Sequence, residues 1–448
     1  MAKAEKKELS LEEKLEQALV PVDEQPYEVP ENWCWVELNV VSEVVTGSTP
    51  SKKKPEYYGD EFPFFKPADL DAGRNTIIAS EYLSEEGKSV SRIIPAGSTA
   101  VCCIGSIGKS GYLEVEGTTN QQINSVIPKI NPLYLYYYIN TDTFINELWE
   151  KSSATTISIV NKSKMESNKI PIPPLAEQQR IVEQIESLFA KLDEAKEKIS
   201  DVSKRCDDNM ASIVHEAVTG KLTEAWRIEH GIRRDEWLVD KLGNLGTLER
   251  GRSKHRPRND PRLFGGPYPF IQTGDVAEAD VYIEKHRQTL SEFGVQQSRI
   301  FPKGTLCITI AANIGDVAIL SYDCCFPDSV VGFTPYENIE SKYIYYMMSE
   351  LQKEIEANAP ATAQKNINLK ILNDVDIEIP IITEQKKIVE ILEELLSKEK
   401  EVKEKAEQTM DMIDMIKKSI LAKAFRGELG TNNPDDKNAV ELLKQIIL

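Results

Sequence analysis

The segment IPIPPLAEQQRIVE beginning at Ile170 returns at Ile377 as IEIPIITEQKKIVE, with eight of fourteen residues identical at a constant offset of 207. A period that long is far beyond a solenoid repeat and marks a duplicated domain. The same offset joins SIVHEAVTGKL (Ser212 to Leu222) to SILAKAFRGEL (Ser419 to Leu429), so the two repeated segments have equal length. GSIG ending at Gly108 matches ANIG ending at Gly315, and Ala154-Thr155 matches Ala361-Thr362. Near the domain starts the offset slips to 204, where Trp33, Leu38 and Gly47 meet Trp237, Leu242 and Gly251. The chain therefore reads as globular domain, helix, globular domain, helix, and its 448 residues suffice for two cores.

Both repeated segments carry a heptad seam. In the first it runs Ile181, Ile185, Leu188, Leu192, Ala195, Ile199, Val202; in the second Ile388, Leu392, Leu395, then Glu399, which interrupts it, Val402, Ala406, Ile413, Ile416 and Ile420. Proline precedes each helix (Pro173 and Pro174; Pro380) and glycine follows it (Gly220; Gly427), the ordinary start and stop signals. Ala176 to Val218 predicts a helix of roughly 65 Å. A lone helix with one apolar stripe needs a partner. A second copy of the chain is the plain choice; the repeated helix of the same chain is the nearer one, through antiparallel pairing.

The globular domains read as mixed α and β. Short β-rich runs, Ser98 to Ile104 and Thr305 to Ile310, are each followed by a tyrosine-rich helix candidate, Tyr134 to Tyr138 and Tyr343 to Tyr346. These tyrosines are expected to pack the domains, with nucleic-acid contact as the lesser reading. No run of about 18 apolar residues appears and the N-terminus lacks the apolar core of a signal peptide, so a soluble, cytoplasmic protein without membrane contact is expected. The seven cysteines show no CxxC spacing and read as buried thiols.

The net charge of −18 weighs against nucleic-acid binding, because cations that neutralise phosphates supply most of that affinity. Its distribution weighs the other way. Residues 231–372 hold 17 basic against 18 acidic residues, and the basic ones concentrate in ERGRSKHRPRNDPR: Arg250, Arg252, Lys254, Arg256, Arg258 and Arg262. At the aligned place in the first domain stand Lys52, Lys53 and Lys54. A charge run is usually a solvated loop. Two basic loops at one position of two otherwise acidic copies point to DNA, and their different sequences point to two different half-sites. Ser106 and Lys109 in GSIGK, and Asn313 in ANIGD, are secondary candidates whose plain reading is a strand turn.

No catalytic constellation emerges. GSIGKSG lacks the first glycine of a phosphate-binding loop, Cys103 standing there. NPLY at Asn131 imitates a methyltransferase signature, but a helix start with proline at its first turn explains it better. The four histidines are scattered, with no metal-ligand spacing.

The doubled P-x-x-EQ-x-x-IV helix opening, GKLTEAWR (Gly220 to Arg227), AKAFRGEL (Ala422 to Leu429) and PYEVPENWCWVEL resemble the specificity subunit (HsdS, S subunit) of type I DNA restriction-modification systems over nearly the whole chain. The resemblance implies an α+β fold with two mixed α/β target recognition domains in pseudo-twofold tandem repeat, separated by two long helices that form an antiparallel coiled coil. The corresponding division is an N-terminal helical segment 1–21, recognition domain 22–169, long helix 170–221, linker 222–236, recognition domain 237–376, long helix 377–428 and C-terminal tail helix 429–448. It further implies a non-catalytic subunit that binds double-stranded DNA, two methyltransferase (modification) subunits and restriction subunits. No cofactor is expected on this chain itself; S-adenosylmethionine and ATP/Mg are expected on the partners. The pseudo-symmetry also implies that the chain termini meet on the second domain's side. A coiled-coil protein-protein adaptor with duplicated globular heads shares every helix feature and is the alternative.

Overall fold

The computed structural model describes residues 10–153, 158–310, 315–358 and 369–448, with the side chains of all but 353–358. Two compact units divide the chain: one takes it as far as Ile199 together with Gln408–Leu448, the other is Ser200–Glu407. Each unit thus owns one globular domain, the opening half of one long helix and the closing half of the other.

In the first unit, Ser42–Thr46, Ile123–Pro128, Thr99–Cys102 and Ser110–Tyr112 form an antiparallel sheet in that order. A second sheet orders Tyr58–Gly59, Glu81–Leu83, Phe62–Phe65 and Thr118–Thr119. The strand Cys34–Glu37 pairs antiparallel with Lys169–Ile172, which leads directly into the first long helix, so the residues from 170 to that helix start are extended rather than helical. The second unit repeats the plan. Gly246–Arg250, Val330–Pro335, Leu306–Thr309, Val317–Leu320 and Tyr282–Ile283 make one sheet; Gln288–Leu290, Phe264–Phe270, Cys324–Cys325 and Ile300–Phe301 make the other; and Leu238–Lys241 pairs with Asp376–Ile379 ahead of the second long helix.

The tyrosines pack the domains. Tyr134 and Tyr138 are fully buried on the helix Pro132–Ile139, and their hydroxyls donate to the carbonyls of Pro171 (2.7 Å) and Lys169 (2.8 Å). Tyr343 does the same to Glu378 (2.7 Å). The strand beneath each long helix is thereby bolted to its domain. Asn131 caps Pro132–Ile139 by accepting from the amides of Leu133 and Tyr134, which accounts for NPLY without any cofactor chemistry.

The long helices span Leu175–Val218 and Ile382–Ala424, each closed by a glycine with positive φ, Gly220 at 75° and Gly427 at 74°. They run antiparallel inside both units. In the first, Asp193 pairs with Lys417 and Lys196 with Asp414, so three residues forward on one helix are three back on the other. In the second, Asp207 pairs with Lys403 and Asn209 donates to Glu399. Ile181, Ile185, Ile388, Leu392 and Ile413 are buried; Leu188, Leu192, Ile199, Leu395 and Ile420 are half-buried. Val202 and Val402 do not belong to the seam: they are 40% and 45% exposed, as is Ile416 at 45%. A straight helix drifts by about 20° per heptad from a strict seven-residue repeat. Three heptads beyond Ile181 and two beyond Ile388 the seven-residue position has turned outward, while Cys206 and the expected seam residue Ala406 are buried.

The chain termini correct one expectation. The helix Leu11–Ala18, with a Ser10–Glu13 capping box, and the helix Ala439–Ile447 both lie in the first unit, not on the second domain's side. Ala439 and Leu443 join the core of Trp33, Trp35 and Leu38, and the Ala439 amide donates to the Asn32 carbonyl at 2.9 Å. The tail's apolar face is covered there. Among the described residues, no helix is long and apolar enough to cross a membrane.

Candidate nucleic-acid interface

In both units a strand runs into a glycine from which the basic loop departs. Gly47 and Ser48 donate backbone hydrogen bonds to the carbonyls of Ile123 and Thr119; Gly251 and Arg252 donate theirs to Val330 and Phe326, each acceptor 207 positions on. A Cβ at Gly47 would strike the carbonyls of Thr119 and Asn120, and at Gly251 those of Phe326 and Pro327. Only glycine permits this approach, so the two loops leave equivalent points of the two domains.

Lys52, Lys53 and Lys54 are exposed, and none forms an ion pair among the described residues; the Lys54 ammonium lies 5.0 Å from the Tyr57 ring centre and donates to its hydroxyl at 3.0 Å. The second loop is more tightly organised. Asp328 accepts from Arg258 at 2.9 Å through both carboxylate oxygens, and its carbonyl accepts from Arg250. Asp260 grips Arg262 (2.7 Å) and accepts from the His255 ring (2.8 Å). Those hydrogen bonds, from Arg262 first, hold the Asp260 carboxyl far below the usual carboxylate range. Arg256 folds back on the carbonyls of Ser253 (2.6 Å) and His255 (2.8 Å). Among the described residues, Arg252 and Lys254 are left without a carboxylate partner. Four of the six arginine and lysine side chains therefore shape the loop, and Arg252 and Lys254 keep their charge free for phosphate or base.

Behind the loop lies a cleft of about 530 Å³ lined by Arg252, Arg258, Asn259, Gln272, Gln288 and Gln297 over an apolar floor that includes Phe264 and Phe270. Its amides escaped the sequence reading, since neutral side chains leave no charge signal. Ser106 is exposed in the turn before Ser110–Tyr112, but the Lys109 ammonium is tied to Asp71 at 2.6 Å. Asn313 lies outside the described residues, as do Ala154-Thr155 and Ala361-Thr362.

The repeated Glu-Gln pair anchors each domain to its helix. Glu177 is fully buried; one carboxylate oxygen accepts from the Trp33 indole (2.8 Å) and from Asn432 of the tail (3.0 Å). Glu384, equally buried, accepts from the Trp237 indole (3.0 Å), from Thr223 (2.8 Å) and from Arg227 (2.7 Å). Gln178 and Gln385 accept from the backbone amides of Asn131 and Glu340 and donate back to the carbonyls of Pro173 and Pro380. The linker after the first helix and the tail after the second thus do the same job in different units, using different side chains.

Two copies of a mixed α/β domain, each carrying a basic loop at the same point and each welded to a long helix, define a tandem recognition protein. The family model described as type I restriction modification DNA specificity domain matches residues 30–203 and again 234–408. The chain is 23% identical to the type I restriction enzyme EcoKI specificity subunit of Escherichia coli (strain K12), over 93% of this chain and 95% of that protein. To the StySPI specificity subunit of Salmonella potsdam it is 22% identical over the same shares. Among solved structures, one on complex assembly and conformational transition of the type I R-M system contains a chain that superposes with TM-score 0.73 at 20% identity, covering 90% of this chain and 100% of that one. The HsdS subunit from Thermoanaerobacter tengcongensis gives 0.57 at 21% identity, covering 91% and 100%. These two likenesses show the fold. The chain belongs to the type I restriction modification DNA specificity family, and its two copies of the domain make it a specificity subunit with two target recognition domains.

Proposed function

We propose that each recognition domain reads one half of a bipartite duplex target, while the antiparallel helices set the spacing between half-sites and dock two methyltransferase subunits. Restriction subunits complete the assembly. In this reading the chain performs no chemistry: the modification subunits bind S-adenosylmethionine, the restriction subunits use ATP and Mg, and the complex works in the cytoplasm. The observation that carries it is the pair of basic loops leaving equivalent glycines, Gly47 and Gly251, with different cations at their tips. The surplus acid elsewhere makes the isolated chain a weak binder, so the partners supply part of the phosphate clamp.

The test is duplex binding by the complex assembled with its modification subunits, measured across about 50 to 200 mM salt. A steep fall with salt is expected, and charge reversal of Arg252 and Lys254 removes recognition of one half-site without disturbing assembly. Salt-independent binding, or an unaltered target in the reversed variant, would sink the reading in favour of an adaptor.

A further inference from the structure

The sheets built on Phe62–Phe65 and on Phe264–Phe270 share a strand pairing and a following turn, and at one place differ in chemistry. In the first domain Phe64 registers with Glu81; in the second Phe270 registers with Gln288. Just beyond each strand the backbone is capped identically: the Lys66 amide donates to Asp69 at 2.7 Å, and the Gln272 amide to Asp275 at 2.7 Å. Ser84 and Ser291 cap the following short helices in the same way, accepting from Gly87 and Gly294. Inside this shared frame a cross-strand pair of side chains reaches solvent. In the first domain it is an ion pair, Lys66 to Glu81 at 2.6 Å, with side chains 33% and 30% exposed. In the second it is an amide pair, Gln272 donating to Gln288 at 2.6 Å, both exposed and both lining the cleft behind the basic loop with Arg252.

The Gln272–Gln288 pair is exposed and the Lys66–Glu81 pair is partly exposed; polar pairs open to water add little to stability, so the fold does not dictate their identity. Their placement on a strand and a capped turn nevertheless fixes where their polar atoms point. With one N–H spent on Gln288, Gln272 keeps a carbonyl oxygen and a second N–H, an acceptor and a donor of the kind that N6 and N7 of adenine ask for in the major groove. A lysine beside a glutamate offers the other code: donors for O6 and N7 of guanine, and an acceptor for N4 of its cytosine.

We propose that this cross-strand pair reads one base pair in each half-site, an A·T pair through Gln272 and Gln288 in the second domain and a G·C pair through Lys66 and Glu81 in the first. The assignment rests on the DNA-reading function proposed above. The experiment maps methylated motifs in host DNA from cells carrying the complex with the wild-type chain, with Gln272→Lys plus Gln288→Glu, and with Gln272→Ala plus Gln288→Ala. The exchanged pair is expected to shift one position of one half-site from A·T to G·C, with preference altered about ten- to a hundredfold. The alanine pair is expected to relax that position and leave the other half-site intact. A motif unchanged at every position in both variants overturns the proposal. A wild-type complex that yields no bipartite motif overturns the DNA-reading function itself, which separates the two failures.

Discussion

Removing the Glu384 carboxylate should cost the second unit more stability than any other single truncation on the helix openings. The side chain is fully buried, and Arg227, whose side chain is 7% exposed, relies on it for an ionic partner. In Glu384→Ala the guanidinium stays buried and charged without its carboxylate partner, and the Trp237 indole and the Thr223 hydroxyl lose their acceptor. Breaking one side of a buried pair costs about 3–5 kcal/mol, and an orphaned indole N–H adds about 1 kcal/mol; since the terms overlap, about 4 kcal/mol is expected. With a urea m-value of about 2 kcal/mol/M, the midpoint should fall by roughly 2 M. Urea titration of the full chain, following Trp226 and Trp237 for the second unit, reads this directly. The double replacement Arg227→Met plus Glu384→Met should recover much of the loss, because an apolar pair leaves no charge stranded. Glu177→Ala, whose indole and amide donors are neutral, should cost only about 2 kcal/mol. A single-variant loss below about 1 kcal/mol, or a double variant as unstable as the single, would refute this account of the anchor.

Three further outcomes are expected. Burial pushes the Glu177 carboxyl above its ordinary value, outweighing the hydrogen bonds from Trp33 and Asn432 that pull it down. A folded pKa above the unfolded one means that folding takes up a proton, so this group's penalty is greatest above the folded pKa and fades as pH falls toward about 4.3. Glu177→Gln should therefore gain on the wild type most at neutral pH and lose that advantage on acidification; paired denaturation midpoints whose difference stays constant would contradict it. Lys254→Ala should lower the salt slope of DNA binding by about one without changing the recognised sequence, which binding isotherms at several salt concentrations check. Removing one heptad from each long helix shortens the pair by about 10 Å, roughly three base pairs at 3.4 Å each. Motif mapping should then return the same half-sites with a shorter spacer.

Much of the architecture was legible because duplication prints the same pattern twice. The 207 offset announced two equal helices, and proline and glycine marked their ends. The glutamate of the EQ pair was visible as a repeat but not as an anchor, because Trp33 and Trp237 stand 144 and 147 residues from their carboxylate partners. No periodicity reports a contact of that range. The strict heptad reading held at each helix start and again at Ala406 and Ile413, and failed at Val202, Val402 and Ile416, where the residue's rotation about the helix axis decides burial. In the basic loop the cations were countable, but Asp328, which engages Arg250 and Arg258, lies 78 and 70 residues away, so the division between shaping and free charges is made by the fold. The tail was likewise legible as a helix, yet its destination was settled by Asn32 and Glu177 of the first unit.

The central claim is that the two domains read independently. Methylated-motif sequencing of a complex in which residues 237–376 are replaced by the matching domain of another specificity subunit tests it most directly. The account predicts that one half of the bipartite motif changes while the other half and the spacer stay as they were. A motif altered in both halves, or in neither, would contradict it.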